Sequence, residues 1–298
     1  MSTIRETLVD AERRLSNAGI DSASVDSAQL LAFVLGVSRS HLILQDSIDE
    51  EDRVHFERLM AKRLNRIPLQ HLTGTAPFRH IELDVGPGVF IPRPETELVT
   101  EAAIRHLRAC SNPRAFDLCS GSGAIALSLA YEVPGTRVTA VELSDQAIPY
   151  LRNNAERIET LVPVEVVSAD ATDTTVQAFV SAIGTCDVVT CNPPYIPSAM
   201  VPKDPEVRDH EPPLALYGGG DGLDVVRGIV KTAAVLLKQG GLLVIEHADL
   251  QGPDSPNGGV VAVVKECRDP VTGASQFHSV EDRQDYNQLP RFTMAIRA

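Results

Sequence analysis

From residue 94 onward, short apolar runs alternate with amphipathic stretches, and that rhythm constrains the fold more than anything else in the chain. Residues 115–119, 137–142, 162–167, 187–191 and 242–247 read as strands. Helices are expected at 124–131, 145–157, after 167 up to 183, and at 223–238. Repeated strand–helix–strand units imply an α/β fold, a doubly wound, Rossmann-like parallel sheet. Residues 276–280 and 292–296 suggest a closing antiparallel pair, and 251–259, rich in Gly, Pro, Ser and Asn, a surface loop. Aromatic residues make up only 4% and Trp is absent, so Leu, Val, Ile and Ala must build the core.

A chain of 298 residues suits two domains. Residues 1–70 read as a small helical bundle. Ile4, Leu8, Ala11, Leu15 and Ala18 recur at helical spacing, and Asn17-Ala18-Gly19 ends the run. Ala28, Leu31 and Leu35 mark a second helix stopped at Gly36, and Asp49 to Asp52 suit the positive end of a third running to about Asn65. Residues 71–93 punctuate short alternating runs with Thr73-Gly74, Gly86-Pro87-Gly88 and Pro92, as a β-hairpin linker would. Residues 94–298 form the α/β domain.

Three features fall at the carboxyl ends of the expected strands, where doubly wound sheets bind ligands. Asp117-Leu118-Cys119-Ser120-Gly121-Ser122-Gly123 follows the first strand and opens a helix; its small residues let backbone approach a ligand closely. Glu142 ends the second strand, where a carboxylate can accept both hydroxyls of a ribose. Asp170 ends the third, within reach of an adenine amino group. The turn is neither G-x-G-x-x-G nor a P-loop. Each feature alone also has a plain structural reading: a tight turn, or a charge at a helix start. Their combination points to a nucleoside-containing cofactor.

Asn192-Pro193-Pro194-Tyr195 directly follows the fourth strand. Two prolines fix a rigid turn and remove two amide donors. The Asn192 side-chain oxygen and the Pro193 carbonyl remain as adjacent acceptors, a match for the two hydrogens of one NH2 group. Tyr195 offers a flat wall. An amide or aromatic amino nitrogen is a poor nucleophile because its lone pair is delocalised. Two accepted N–H bonds favour that nitrogen as it gains positive charge and aim its lone pair. This chemistry serves a glutamine amide and an adenine amino group equally well. A plain Pro-Pro turn capped by Asn is the competing, structural reading.

The net charge of -13 argues against a nucleic-acid partner, and the one dense basic string, Arg58, Lys62, Arg63 and Arg66, reads as a solvated helix face. Cys110, Cys119, Cys186, Cys191 and Cys267 form no C-x-x-C pair, so free thiols are expected and no metal site. No apolar run is long enough to span a membrane and the first residues do not read as a signal peptide, so a cytoplasmic location is expected.

The chain resembles the release-factor glutamine methyltransferases (the HemK/PrmC type). The stretches that carry the resemblance are Ile67 to Gly74, Val89-Phe90-Ile91-Pro92-Arg93-Pro94-Glu95-Thr96-Glu97 and Asp117 to Gly123. They continue with Cys191 to Ile196, His210-Glu211-Pro212 and Gly219-Gly220-Asp221-Gly222-Leu223-Asp224. Asn-Pro-Pro-Tyr is shared with adenine N6-methylases; the other stretches are more specific. The resemblance implies S-adenosylmethionine as cofactor. The implied substrate is the glutamine of the Gly-Gly-Gln motif in class-1 peptide-chain release factors, methylated on its side-chain amide nitrogen.

By position, Asp117 and Cys119, Ser120, Gly121, Ser122 and Gly123 would face the methionine part, Glu142 the ribose, and Asp170 and Ala171 the adenine. Asn192 and Pro193 would hold the amide nitrogen beside the cofactor, with Pro194 and Tyr195 packing on it and Phe90 walling the pocket. Cys119 departs from the family's usual glycine, Ala171 from the aromatic often found there, and His247-Ala248 from a Gly-containing sequence. The alternatives are an N6-adenine DNA or RNA methyltransferase and a non-catalytic docking module, the latter opposed by the intact Asn192.

Overall fold

In the computed structural model, which describes residues 3–298, helix Ile4–Asn17 begins where Thr3 and Glu6 close a reciprocal capping box. Helices Ala23–Val34 and Glu50–Leu64 follow, the latter capped by Asp49. Their apolar faces meet in one core that includes Leu15, Leu30, Leu31, Phe56 and Met60. Residues 3–75 form a compact unit together with a distant segment, Pro202–His210. The basic string does not stay solvated as a whole. Arg58 and Lys62 are exposed, but Arg63 is buried, paired with Asp26 on the second helix and with Glu206, both at 2.7 Å. Arg66 joins the same Glu206 at 2.7 Å. Carboxylates that converge from far away in sequence pull these guanidinium groups inward.

The second unit comprises Ala76–Val201 and Glu211–Ala298. Strands β1 (Thr75–Phe78) and β2 (Ile81–Asp84) make a two-stranded sheet. Phe78 and Leu83 from this hairpin are buried with Ile104, Leu127 and Leu151, so the segment expected as a linker contributes to the core of this unit. The main sheet holds β3 (Arg114–Leu118), β4 (Arg137–Glu142), β5 (Glu165–Ser168), β6 (Cys186–Cys191), β7 (Leu237–Glu246), β8 (Phe277–Gln284) and β9 (Pro290–Arg297). Their order is β5-β4-β3-β6-β7-β9-β8. All pairs from β5 to β7 are parallel, and β9 runs antiparallel between β7 and β8. Strand order reverses between β3 and β6, which opens the ligand crevice there.

The elements differ from the sequence reading where local chemistry intervenes. The third expected strand starts at Glu165 rather than 162, after Pro163, which has no N–H to give a ladder. The helix expected to reach 183 shrinks to Gln177–Val180. Ahead of it, the Asp170 and Asp173 carboxylates accept from the backbone and hydroxyl groups of Thr172 and Thr175, which favours turns. Helix Gly259–Glu266 emerges from the end of the expected loop, its Val260 and Val264 fully buried. Among the described residues, no helix is long and apolar enough to cross a membrane.

Candidate active site

The glycine turn leaves β3 beneath Asp117, whose carboxylate is buried and accepts the Thr190 hydroxyl at 2.8 Å and the Ala126 N–H at 3.3 Å. Burial pushes its pKa up to about 7. Beyond it, Cys119 (φ +61°), Gly121 (φ +55°) and Gly123 (φ +92°) all adopt left-handed conformations. A Cβ on Gly123 would sit 2.7 Å from Leu151 Cδ1 and 2.8 Å from Leu127 Cδ1, so glycine is required there. At Cys119 a side chain occupies such a conformation at a cost of about 1–2 kcal/mol. Cys119 packs at the edge of the core cluster that contains Cys191.

Glu142 closes the turn from β4. Its Oε2 accepts the Gly121 N–H at 2.7 Å, and Oε1 accepts the N–H groups of Leu143 and Ser144 at 2.9 and 2.8 Å. The carboxylate is thus fixed in direction, with Oε2 retaining a lone pair for a further donor. Asp170 is exposed, two residues past the end of β5, and its Oδ1 accepts from Thr172. Ala171 is buried among Phe116, Val141 and Phe179, and its carbonyl accepts the Thr232 hydroxyl at 2.8 Å. These two residues are tied to their own turn and to the core, whereas Asp117, the 119–123 turn and Glu142 are hydrogen-bonded into one group.

Asn192 to Tyr195 continues β6 and is clamped from three sides. The Ile196 N–H donates to the Leu216 carbonyl at 2.8 Å, and the Gly218 N–H donates back to Ile196 at 2.9 Å. Gly218 and Gly222 lie so close that an added Cβ would come within 2.4 Å of the Pro194 oxygen and 2.2 Å of the Tyr195 oxygen. Gln251, buried at the start of the expected surface loop, donates from Nε2 to the Tyr195 carbonyl at 2.8 Å. Asn192 Nδ2 donates to the Thr96 hydroxyl at 3.3 Å, which leaves Oδ1 for another partner. Burial, reinforced by the nearby Glu246 charge, holds the Tyr195 hydroxyl well above its ordinary pKa. The half-buried Phe90 is set by Arg93, whose guanidinium lies 4.9 Å above the ring while donating to Glu211.

Comparison with known proteins fits this architecture. The family described as "PrmC N-terminal domain" matches residues 6–74, and "Methyltransferase small domain" matches 80–203. The release factor glutamine methyltransferase of Streptomyces coelicolor is 43% identical over 301 residues, covering 100% of this chain and 99% of that protein. The chain belongs to the release factor glutamine methyltransferase family. The namesake from Mycolicibacterium smegmatis is 41% identical, over 100% of this chain and 99% of its own. A 4-amino-L-phenylalanine/4-methylamino-L-phenylalanine methyltransferase of Streptomyces pristinaespiralis is 38% identical over 84% of each chain. Among solved structures, the Thermus thermophilus 16S rRNA N2 G1207 methyltransferase, in complex with AdoMet and guanosine, shares the fold. It superposes with a TM-score of 0.51 at 19% identity, covering 75% of this chain and 50% of that one.

Against the release factor glutamine methyltransferase pattern, the departures have structural settings. Cys119 stands in the left-handed conformation that the usual glycine would adopt freely. His247 is buried at the end of β7, its Nε2 bonded to Asp282 at 2.9 Å and its Nδ1 to the Ala248 carbonyl at 2.9 Å. Three residues of the site escape sequence reasoning. Thr96 stands inside the Ile-Pro-Arg-Pro-Glu-Thr-Glu stretch but reads as an ordinary first-turn residue. Gln251 reads as loop, and Glu246 reads as the end of a strand.

Proposed function

We propose that the chain transfers a methyl group from S-adenosylmethionine to the side-chain amide nitrogen of the glutamine in the Gly-Gly-Gln motif of class-1 peptide-chain release factors, acting in the cytoplasm. The observation that carries this reading is the Asn192–Tyr195 turn after β6 at the sheet's switch point, held by Asn192 Nδ2 on Thr96 and by Gln251 on the Tyr195 carbonyl; it supports a pair of acceptors at Asn192 Oδ1 and the Pro193 carbonyl. The donor set suits the cofactor. Glu142 is already aimed by three backbone N–H groups and has capacity left for a ribose diol. The turn at 119–123 presents backbone with little side-chain bulk.

When bound, S-adenosylmethionine supplies an electrophilic methyl on a sulfonium sulfur. Asn192 Oδ1 and the Pro193 carbonyl would accept both N–H bonds of the amide, drawing out its lone pair as positive charge develops. Tyr195 and Phe90 would wall the planar group, so the nitrogen is held in line rather than deprotonated by a strong base. No general base of the His type lies among these residues, which suits a mechanism of preorganised acceptors.

The test combines the purified protein, a class-1 release factor and labelled cofactor with a Gln-to-Ala control in the motif. Label is expected on the wild-type factor only. Asn192→Ala should slow turnover by roughly a hundred-fold or more, the scale of a lost transition-state hydrogen bond in a dry site. Near-normal turnover by that variant would defeat the acceptor-pair reading. The 4-amino-L-phenylalanine relative makes a small arylamine the informative alternative acceptor. Label on the arylamine, with none on the factor, would move the reading to that substrate class.

A further inference from the structure

Asn192 can serve as an acceptor only if its amide faces the right way. Rotation by half a turn about its last bond would exchange Oδ1 for Nδ2 and present a donor where an acceptor is needed. Shape alone does not prevent this, because the two groups are nearly the same size. The hydrogen-bond partners behind Asn192 must therefore decide.

Those partners are one hydrogen bond and a nearby buried carboxylate. Asn192 Nδ2 donates to Thr96 Oγ1 at 3.3 Å. Thr96 is buried in the first turn of helix Thr96–Leu107, and its hydroxyl lies near enough to the Glu246 carboxylate to offset part of the upward shift that burial imposes. Glu246 is 1% exposed and ends β7, one residue beyond the register pair of Cys191 and Ile245. It therefore lies beside Asn192 at the mouth of the sheet. Its Oε2 has no hydrogen-bond partner among the described residues. A buried carboxylate oxygen without a donor is costly, and its retention calls for an explanation.

We propose that Thr96 and Glu246 are positioning residues that lock the Asn192 amide with Oδ1 toward the methyl-accepting nitrogen. The inference rests on the acceptor role proposed above for Asn192. A carboxylate can only accept, so its charge draws the Thr96 hydroxyl hydrogen toward Glu246. The Thr96 oxygen then offers only a lone pair to Asn192, and only Nδ2 can answer it. With Glu246 protonated, the polarity can reverse: the acid donates to Thr96, and Thr96 donates to Asn192. That reversal would favour the flipped amide, with Nδ2 toward the substrate.

Burial pushes the pKa of Glu246 up to about 7, so both polarities are reached near neutrality. The groups that face it are Arg93 and Glu95 from the segment before the helix, Thr96 on it, Arg291 at the start of β9, and Tyr195 after β6. Of these, the two arginines favour the carboxylate, and Glu95 opposes it.

The experiment measures kcat, the KM for release factor and cofactor affinity across pH 5.5 to 8.5. The proteins are wild type, Thr96→Val, Thr96→Ser, Glu246→Gln and Asn192→Ala. Wild-type kcat should rise with pH through about 7. Thr96→Val keeps the shape but removes the hydroxyl, so kcat should fall by roughly ten- to a hundred-fold, as for a misplaced catalytic group. Its cofactor affinity and KM should stay near the wild-type values. Thr96→Ser restores the hydroxyl and should recover the rate. Glu246→Gln carries no titrating group and can present either amide atom to Thr96, so its profile should lack the rise through about 7.

A flat wild-type profile, or Thr96→Val with wild-type kcat, would overturn the lock. So would Thr96→Ser as impaired as Thr96→Val. Should Thr96→Val fail to fold, the wild-type profile and Thr96→Ser still decide. Asn192→Ala separates the two levels: a dead Asn192→Ala beside a normal Thr96→Val removes only the lock, whereas a normal Asn192→Ala removes the acceptor role as well.

Discussion

Asp117 and Glu246 each carry a carboxyl into a dry interior, and burial pushes both to about 7, from ordinary values of 3.8 and 4.5. A raised acid binds more protons in the folded chain than in the unfolded one. Its contribution to stability is complete below the ordinary value and is lost as pH rises toward 7. Between pH 5 and 7.5 the cofactor-free protein should therefore lose stability from these two groups. The double variant Asp117→Asn, Glu246→Gln should show a flatter dependence of its denaturation midpoint on pH. An unchanged slope would mean that neither group is protonated when buried. This pair also marks the limit of what single residues reveal in a sequence. Asp117, at a strand end before a glycine turn, is legible in the sequence as a candidate site residue. Glu246 is not, because its significance lies in an oxygen left without a donor, and that depends on neighbours from three other segments. The same holds for Cys119, whose departure from glycine is visible in the sequence, while its positive φ is not.

At the scale of elements, the strand–helix rhythm foretold the parallel sheet, because strands buried on both faces read as near-continuous apolar runs. It could not foretell how the Asn192–Tyr195 turn is held. The Gly-Gly-x-Asp-Gly-Leu stretch stood out only by resemblance. Its physical reason is close backbone approach: at Gly222 (φ +79°) a Cβ would meet the Tyr195 oxygen at 2.2 Å and Gln251 Nε2 at 2.6 Å. Gly222→Ala should displace the turn and reduce kcat on the order of a hundred-fold, as expected for reacting groups moved by about an ångström. Cofactor affinity should change little, since the Glu142 and 119–123 group is built on other strands. Gly220→Ala is the matched control, for nothing lies within 4 Å of its added Cβ. Equal effects of the two substitutions would refute the clamp.

For the whole molecule, the informative division is that no buried core residue of the sheet unit precedes residue 76, while the helical core closes with Met60 and the partly buried Leu64, Leu69 and Leu72. We propose the helical unit as the surface that docks the protein substrate. A chain lacking residues 1–70 should still fold its sheet unit and bind cofactor, yet fail to methylate intact release factor. Full activity of the truncated protein would contradict that role. The helical periodicity of residues 4–18 and the acidic cap at Asp49 made this unit readable in advance. The participation of Pro202–His210 was hidden, since it rests on ion pairs across more than a hundred residues rather than on any apolar pattern. Arg63 makes the consequence concrete. A segment taken from residues 1–75 for a chimaera would carry the buried guanidinium and Asp26 but leave Glu206 behind. Two segments, and three junctions, two of them deep within the stretch that builds the sheet unit, would be needed to exchange this unit between relatives as an intact part.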